Sequence, residues 1–345
     1  QAEDYDFARR TVETGGPGSF EHERRVFAVG VTGVQNYAGL DWHISGQFTA
    51  DRLADSTDLT YGDFNSRSYG SFGLAPQFDW TTASGAYVML RAGLRADLSN
   101  RDENAVLPMA ALSYEQSGGR GLNRYSIEYS KTSQLPGYTA LNSRPQGLFG
   151  GNPDLQREYA GTLKLGFMHE ASQWLARAAV FHRRDEDLVD WTFSQGAPFV
   201  RQANAVDIDV TGLEALLSWQ SATLSLTGGY TWLHKDEDYG SAEVDASYYA
   251  LNYAQHRLTL AAVWEPSAQW AIRMDNEYRV HPVNLLRSSR DSAYIASLSV
   301  TWMPAALPWL GIQLVADNLT DSEFQEFPGT PPMGRQVSVG LTADW

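Results

Sequence analysis

The sequence predicts an all-β chain folded as a transmembrane, antiparallel, up-and-down β-barrel, and three observations lead there. Apolar residues recur with a period of two in segment after segment; at the C-terminus Val337, Val339, Leu341, Ala343 and Trp345 alternate with Gln336, Ser338, Gly340, Thr342 and Asp344. Short and long connections take turns along the chain, as they do when every strand pairs with its sequence neighbour. Trp174, Trp219, Trp264, Trp270, Trp302, Trp309 and Trp345 gather beside the short connections or at the chain end, the place of an interfacial girdle.

Composition agrees. The 345 residues include 11 Trp, 17 Tyr, 14 Phe and 30 Gly but no Cys. A mean hydropathy of -0.35 is compatible with a barrel, because lipid-facing and lumen-facing residues cancel along each strand. No apolar run reaches the 18 or so residues of a helical span. With 41 acidic against 26 basic residues the net charge is -15, which excludes a nucleic-acid partner that needs a basic surface. Gln1 opens the chain without a basic or apolar leader, so it reads as processed or as part of something longer.

Taken in order, residues 1–20 are polar, Gly-rich near Thr14 to Gly18, and read as the remnant of an outer loop. Residues 21–345 read as barrel wall without a separate plug. The first strand runs over 21–34, with Phe27, Val29 and Val31 against Ala28, Gly30 and Thr32, and the second passes through Trp42, Ile44 and Phe48. An acidic segment, 52–65, follows as a loop. Strands then fall near 67–80, 86–98, 104–116, 121–132, 158–169, 173–193, 199–219, 223–235, 253–264, 269–281, 291–303, 309–318 and 333–345, about fifteen in all. Short turns near 82–85, 117–120, 170–172, 220–222, 265–268 and 304–308 alternate with longer loops near 53–66, 133–157, 236–252, 282–290 and 319–332.

No catalytic constellation stands out: the seven His are scattered and no H-E-x-x-H, G-x-S-x-G or phosphate loop occurs, so the chain reads as no enzyme and without a cofactor. The runs Asp185, Glu186, Asp187 and Asp236, Glu237, Asp238 offer oxygen ligands of the kind Ca²⁺ takes, but without an EF-type spacing they read as solvated loops, and no metal site is assigned. Arg124, Glu128, Glu214, Arg257, Arg273, Asp275, Glu277 and Arg279 fall inside strands. An Arg facing lipid at mid-depth costs about 2 to 4 kcal/mol, so these residues are expected to face the lumen.

Two segments carry a family resemblance. Asn152, Pro153, Asp154 and Leu155, with Glu158, close a long loop and lead into a strand; Asp317, Asn318 and Leu319 open D-N-L-T-D, followed by Gly334, Arg335 and a last strand ending on Trp345. From about residue 67 to 345 the chain resembles the C-terminal part of a TonB-dependent outer-membrane receptor. The resemblance implies a barrel of twenty-two strands, of which about fifteen are present, preceded in the family by a signal peptide, a TonB-contacting box and a plug that are not visible here. It implies a Gram-negative outer membrane, active import of a scarce nutrient such as a siderophore or cobalamin-like chelate, energy from the TonB complex through the missing N-terminal region, and insertion by the barrel assembly machinery, which reads the terminal aromatic strand. The outer-loop residues Tyr138, Arg144, Phe149, Tyr239, Tyr248, Tyr249 and Arg287 offer stacking surface and polar tips for the ligand; packing of loop against loop would use the same residues. Residues 133–157 contain no His, which disfavours haem, since haem receptors of this family usually offer one there. The alternatives are a passive sixteen-stranded porin and a structural or adhesive barrel. An incomplete wall is expected to leave unpaired edges along 21–34 and 333–345.

Overall fold

The computed structural model describes residues 2–7, 18–144, 149–195, 201–307, 309–328 and 330–343, and all their strands belong to one sheet. They are β1 (Ala2–Phe7), β2 (Gly18–Tyr37), β3 (Leu40–Ser56), β4 (Ser66–Thr81), β5 (Tyr87–Ser99), β6 (Ala105–Gly118), β7 (Gly121–Gln134), β8 (Phe149–Gly150) and β9 (Glu158–Glu170). The series continues with β10 (Trp174–Phe193), β11 (Arg201–Gln220), β12 (Leu224–Asp238), β13 (Ala246–Ser247), β14 (His256–Ser267), β15 (Trp270–Val280), β16 (Ser292–Trp302), β17 (Leu310–Asp317) and β18 (Gln336–Ala343). A five-residue helix, α1 (Tyr138–Asn142), sits in the loop after β7. Apart from the two-residue β8 and β13, sixteen strands run up and down, each antiparallel to its neighbour.

Register shows the two faces directly. One row crosses seven strands as Ser126, Gly166, Ala179, Glu214, Thr231, Arg257 and Arg279. The neighbouring row, one residue away on every strand, is Tyr125, Phe167, Ala178, Ala215, Tyr230, Leu258, Tyr278 and Tyr294. The pleat sends these rows to opposite faces, so the first lines the lumen and the second faces lipid. All eight charged residues assigned to the lumen share its face by register, and most pair there: Lys164 with Glu214 at 3.1 Å, Arg257 with Glu277 at 2.9 Å, Arg273 with Asp275 at 2.7 Å. The Trp belt also forms at the short-turn end, with Trp174 against Trp219 (6.2 Å between ring centroids) and Trp270 against Trp302 (5.9 Å); Trp345 lies outside the described residues.

Three expectations need correction. Residues 2–7 are not outer loop but strand β1, paired to β2 from Ala2 opposite Glu23 to Phe7 opposite Gly18; the acidic A-E-D-Y-D-F has weak strand propensity and is held by this pairing. The acidic segment 52–65 is strand as far as Ser56, and the runs 185–187 and 236–238 lie within β10 and β12 rather than in loops. The unpaired edges consequently differ: β1 covers the outer end of β2, leaving Arg24 to Tyr37 with β3 as their only neighbour among the described residues, and the other edge is β18 from Gln336, not from Met333. Among the described residues no ladder joins β18 to β1 or β2, and the wall is open.

Candidate functional site

The long connections lie at one end of the wall, and three buried hubs fold them back onto it. At the outer end of β3, Asp51 is 7% exposed and accepts hydrogen bonds from Arg24 at 2.7 Å, Arg67 at 2.7 and 3.0 Å, and the Tyr138 hydroxyl at 2.6 Å. Charge-assisted bonds of this kind satisfy a carboxylate that burial alone would penalise. The Arg67 guanidinium also lies 4.6 Å from the Tyr138 ring centroid and donates to the Pro136 carbonyl, so α1 is clamped to the wall. Burial, and then the hydrogen bond it donates to Asp51, push the Tyr138 hydroxyl well above its ordinary pKa, keeping it a donor. Asn142 donates to the Phe64 carbonyl and Tyr61 N–H to the Asn142 carbonyl, stitching the loops 57–65 and 135–157 together.

The Asn152 box ends that loop. Asn152 N–H donates to the Ala140 carbonyl of α1, and the Asn152 side chain accepts from Asp154 N–H at 3.0 Å, an Asx turn that Pro153 stiffens. Gly151 is required by close approach, because a Cβ there would stand 2.5 Å from the Ser143 carbonyl oxygen. Arg157, 1% exposed, donates to the Glu103 carbonyl and Ser133 hydroxyl, and Glu158 accepts from Val189 N–H. Asn318, at φ 50°, performs the same office for the last loop: its amide donates to the carbonyls of Met333 (2.8 Å) and Ser322 (3.1 Å), while its oxygen accepts from Ser322 N–H (2.9 Å). Asp321 then receives Arg335 N–H at 3.0 Å.

A second hub is Asp190, wholly buried in β10. One carboxylate oxygen accepts from Trp191 N–H and Ala250 N–H, the other from the Tyr239 hydroxyl at 2.7 Å and Ser247 hydroxyl at 2.6 Å. This fixes the loop 239–255 over Val206, Ile208 and Val210. The third hub is Arg287, 8% exposed, which donates to Asp291 at 2.7 Å, to Asn252 and to the Pro282 carbonyl, and lies beside Phe324 and His281. Burial, then the positive charges of Arg287 and Arg279, lower the His281 pKa to about 4.

The structure therefore gives the seven nominated loop residues different surroundings. Tyr138, Tyr239 and Arg287 have their polar tips occupied within the protein. Tyr248 lies under the Arg201 guanidinium at 4.2 Å. Arg144 is exposed, Tyr249 is 45% exposed with its ring 5.7 Å from Phe327, and the Phe149 side chain is outside the described set. Tyr61, Phe64 and Phe327, each about half exposed at 55%, 49% and 45%, join them as outward-presented loop aromatics that the sequence reading passed over. Among the described residues no three His, Asp or Glu side chains converge for a metal ion; Asp185 pairs with Arg183 and Glu186 with Lys131.

A family model described as TonB dependent receptor-like, beta-barrel, matches residues 2–319. The chain belongs to the TonB-dependent receptor barrel family. No curated protein matches. Among solved structures, an apoprotein form of the FrpB iron transporter from Neisseria meningitidis superposes at a TM-score of 0.69 with 14% identity, covering 96% of this chain and 58% of that one. A variant of the ferric enterobactin receptor PfeA from Pseudomonas aeruginosa gives 0.65 and 16%, covering 95% and 54%; the copper transporter OprC gives 0.65 and 12%, covering 94% and 57%. These likenesses establish a shared fold, and this receptor barrel chain spans a little over half the length of each.

Proposed function

We propose that this chain is the greater part of the wall of a TonB-dependent active transporter in a Gram-negative outer membrane, importing a scarce nutrient carried as a small chelate. The observation that supports this reading best is that, among the described residues of a member of this receptor family, neither wall edge is paired with the other. In lipid every backbone N–H and C=O needs a partner, so the wall is completed by further strands of the same protein. The lumen's mixed charges suit a hydrated or protein-filled interior, and the outward-presented Tyr61, Phe64, Arg144, Tyr249 and Phe327 are the outer surface that meets the ligand, a chelate with flat or anionic groups. A sixteen-stranded passive porin would need a ladder between β18 and the first strands. The test is uptake by the full-length protein in cells with and without TonB: uptake that survives loss of TonB unchanged contradicts active transport and favours the porin.

A further inference from the structure

Two arginines stand where lipid would be expected. In β2 and β3, Arg25 is directly opposite Arg52, and Arg52 is opposite Ser66 of β4. This row lies one residue from the lumen-facing row of Val26, Asp51 and Arg67, so it faces outward. Below it on the same outward face come Phe27, Ala50 and Ser68, then Val29, Phe48, Gly70 and Leu98, then Val31, Gly46, Phe72 and Ala96. Phe27 is 62% exposed and Val31 69%, as a lipid-facing band should be. The arginine row thus marks the upper limit of the apolar band, at the level of the outer headgroups.

Like charges directly opposite one another on neighbouring strands repel. Arg25 is met by Glu23 at 2.7 Å, whereas Arg52 has no hydrogen bond or ion pair among the described residues, which leaves the trio with a net positive charge in a chain of net charge -15. A concavity of about 430 Å³ opens at the row; Arg25, Arg52, Ser66, Ser68 and Asn100 are among its lining residues, and so is Asp51, whose carboxylate is taken up by Arg24, Arg67 and Tyr138. Guanidinium forks and hydroxyls over an apolar floor match a phosphate joined to acyl chains. On the outward face of β10 to β12 the outer rows are instead Arg184, Asp209 and Asp236, then Asp207 and Asp238, which are mainly acidic.

We propose that Arg25 and Arg52 bind the phosphorylated headgroup of an outer-leaflet lipid whose acyl chains lie along Phe27, Val29, Phe48 and Phe72. The proposal rests on the outer-membrane reading above. Its test uses the full-length protein, first located by membrane fractionation, then purified in mild detergent and titrated with diphosphoryl lipid A or its dephosphorylated form under native mass spectrometry. The parent should hold diphosphoryl lipid A about tenfold more tightly than Arg25→Gln/Arg52→Gln, since each basic residue near an anionic surface contributes a few-fold in affinity. Arg25→Lys/Arg52→Lys should retain most of the binding and Asp209→Asn/Asp236→Asn all of it. Equal binding by the parent and the Gln variant, or by the phosphorylated and dephosphorylated lipids, overturns the site and leaves the transporter reading standing. Displacement by an equal concentration of inorganic phosphate overturns the lipid as occupant. A parent absent from the outer-membrane fraction overturns both readings.

Discussion

Asp51 ties two loops to the wall at the outer rim, since Arg24, Arg67 and Tyr138 all converge on it. Replacing it by Asn leaves two guanidinium groups facing a neutral amide. Breaking a buried pair costs about 3 to 5 kcal/mol; because Arg24 is 40% exposed and remains hydrated, the lower end applies here. The loop 135–157 of Asp51→Asn should therefore become sensitive to brief proteolysis in the folded full-length protein while the wall survives, and unchanged resistance would refute the clamp. His281 supplies a pH test. Its pKa is about 4 when docked against 6.5 when free, so between those values the undocked loop binds a proton that the docked loop does not. Docking of 281–291 is then fully stable above about pH 6.5 and weakens by roughly 2 to 3 kcal/mol as pH falls to 4. Hydrogen exchange of that loop, corrected for the intrinsic pH effect, should accelerate in acid, and His281→Gln should flatten the response; a pH-independent parent would contradict it.

At the scale of elements, Asn318 is a spring clip: one side chain ties the start of the loop 318–335 to its end. Asn318→Ala removes those bonds and the left-handed preference together, a loss of about 2 to 3 kcal/mol, and should make that loop the first site of tryptic cleavage, at Arg335. The strands that cross lipid were legible because lipid on one side and water on the other impose a period of two, as in Leu224, Leu226, Tyr230 and Trp232 of β12. Above the bilayer both faces meet water, the outward face of the same strand continues as His234, Asp236 and Asp238, and the pattern vanishes although backbone pairing does not. That is why the acidic runs read as loops and why β1 was missed. Tyr138, Tyr239 and Arg287 were recognisable as chemically capable, but a residue type does not reveal which way it points; Asp51 and Asp190, which decide their orientation, look in sequence like any other strand carboxylates.

At the scale of the whole molecule, the described strands form an open wall, and we propose that strands lying between β18 and β1 close it in the complete protein. These 345 residues contain no Cys, so once any Cys elsewhere in the full-length protein is replaced by Ser, a single engineered pair reports cleanly. Val29 on the exposed edge of β2 and Val339 on β18 both face outward within the apolar band. With Val29→Cys and Val339→Cys in the full-length protein, oxidation in intact outer membranes should give no intramolecular disulfide, because a bridge needs Cα atoms within about 7 Å and intervening strands hold these edges much farther apart. A disulfide formed in high yield would place the two edges side by side and contradict the account.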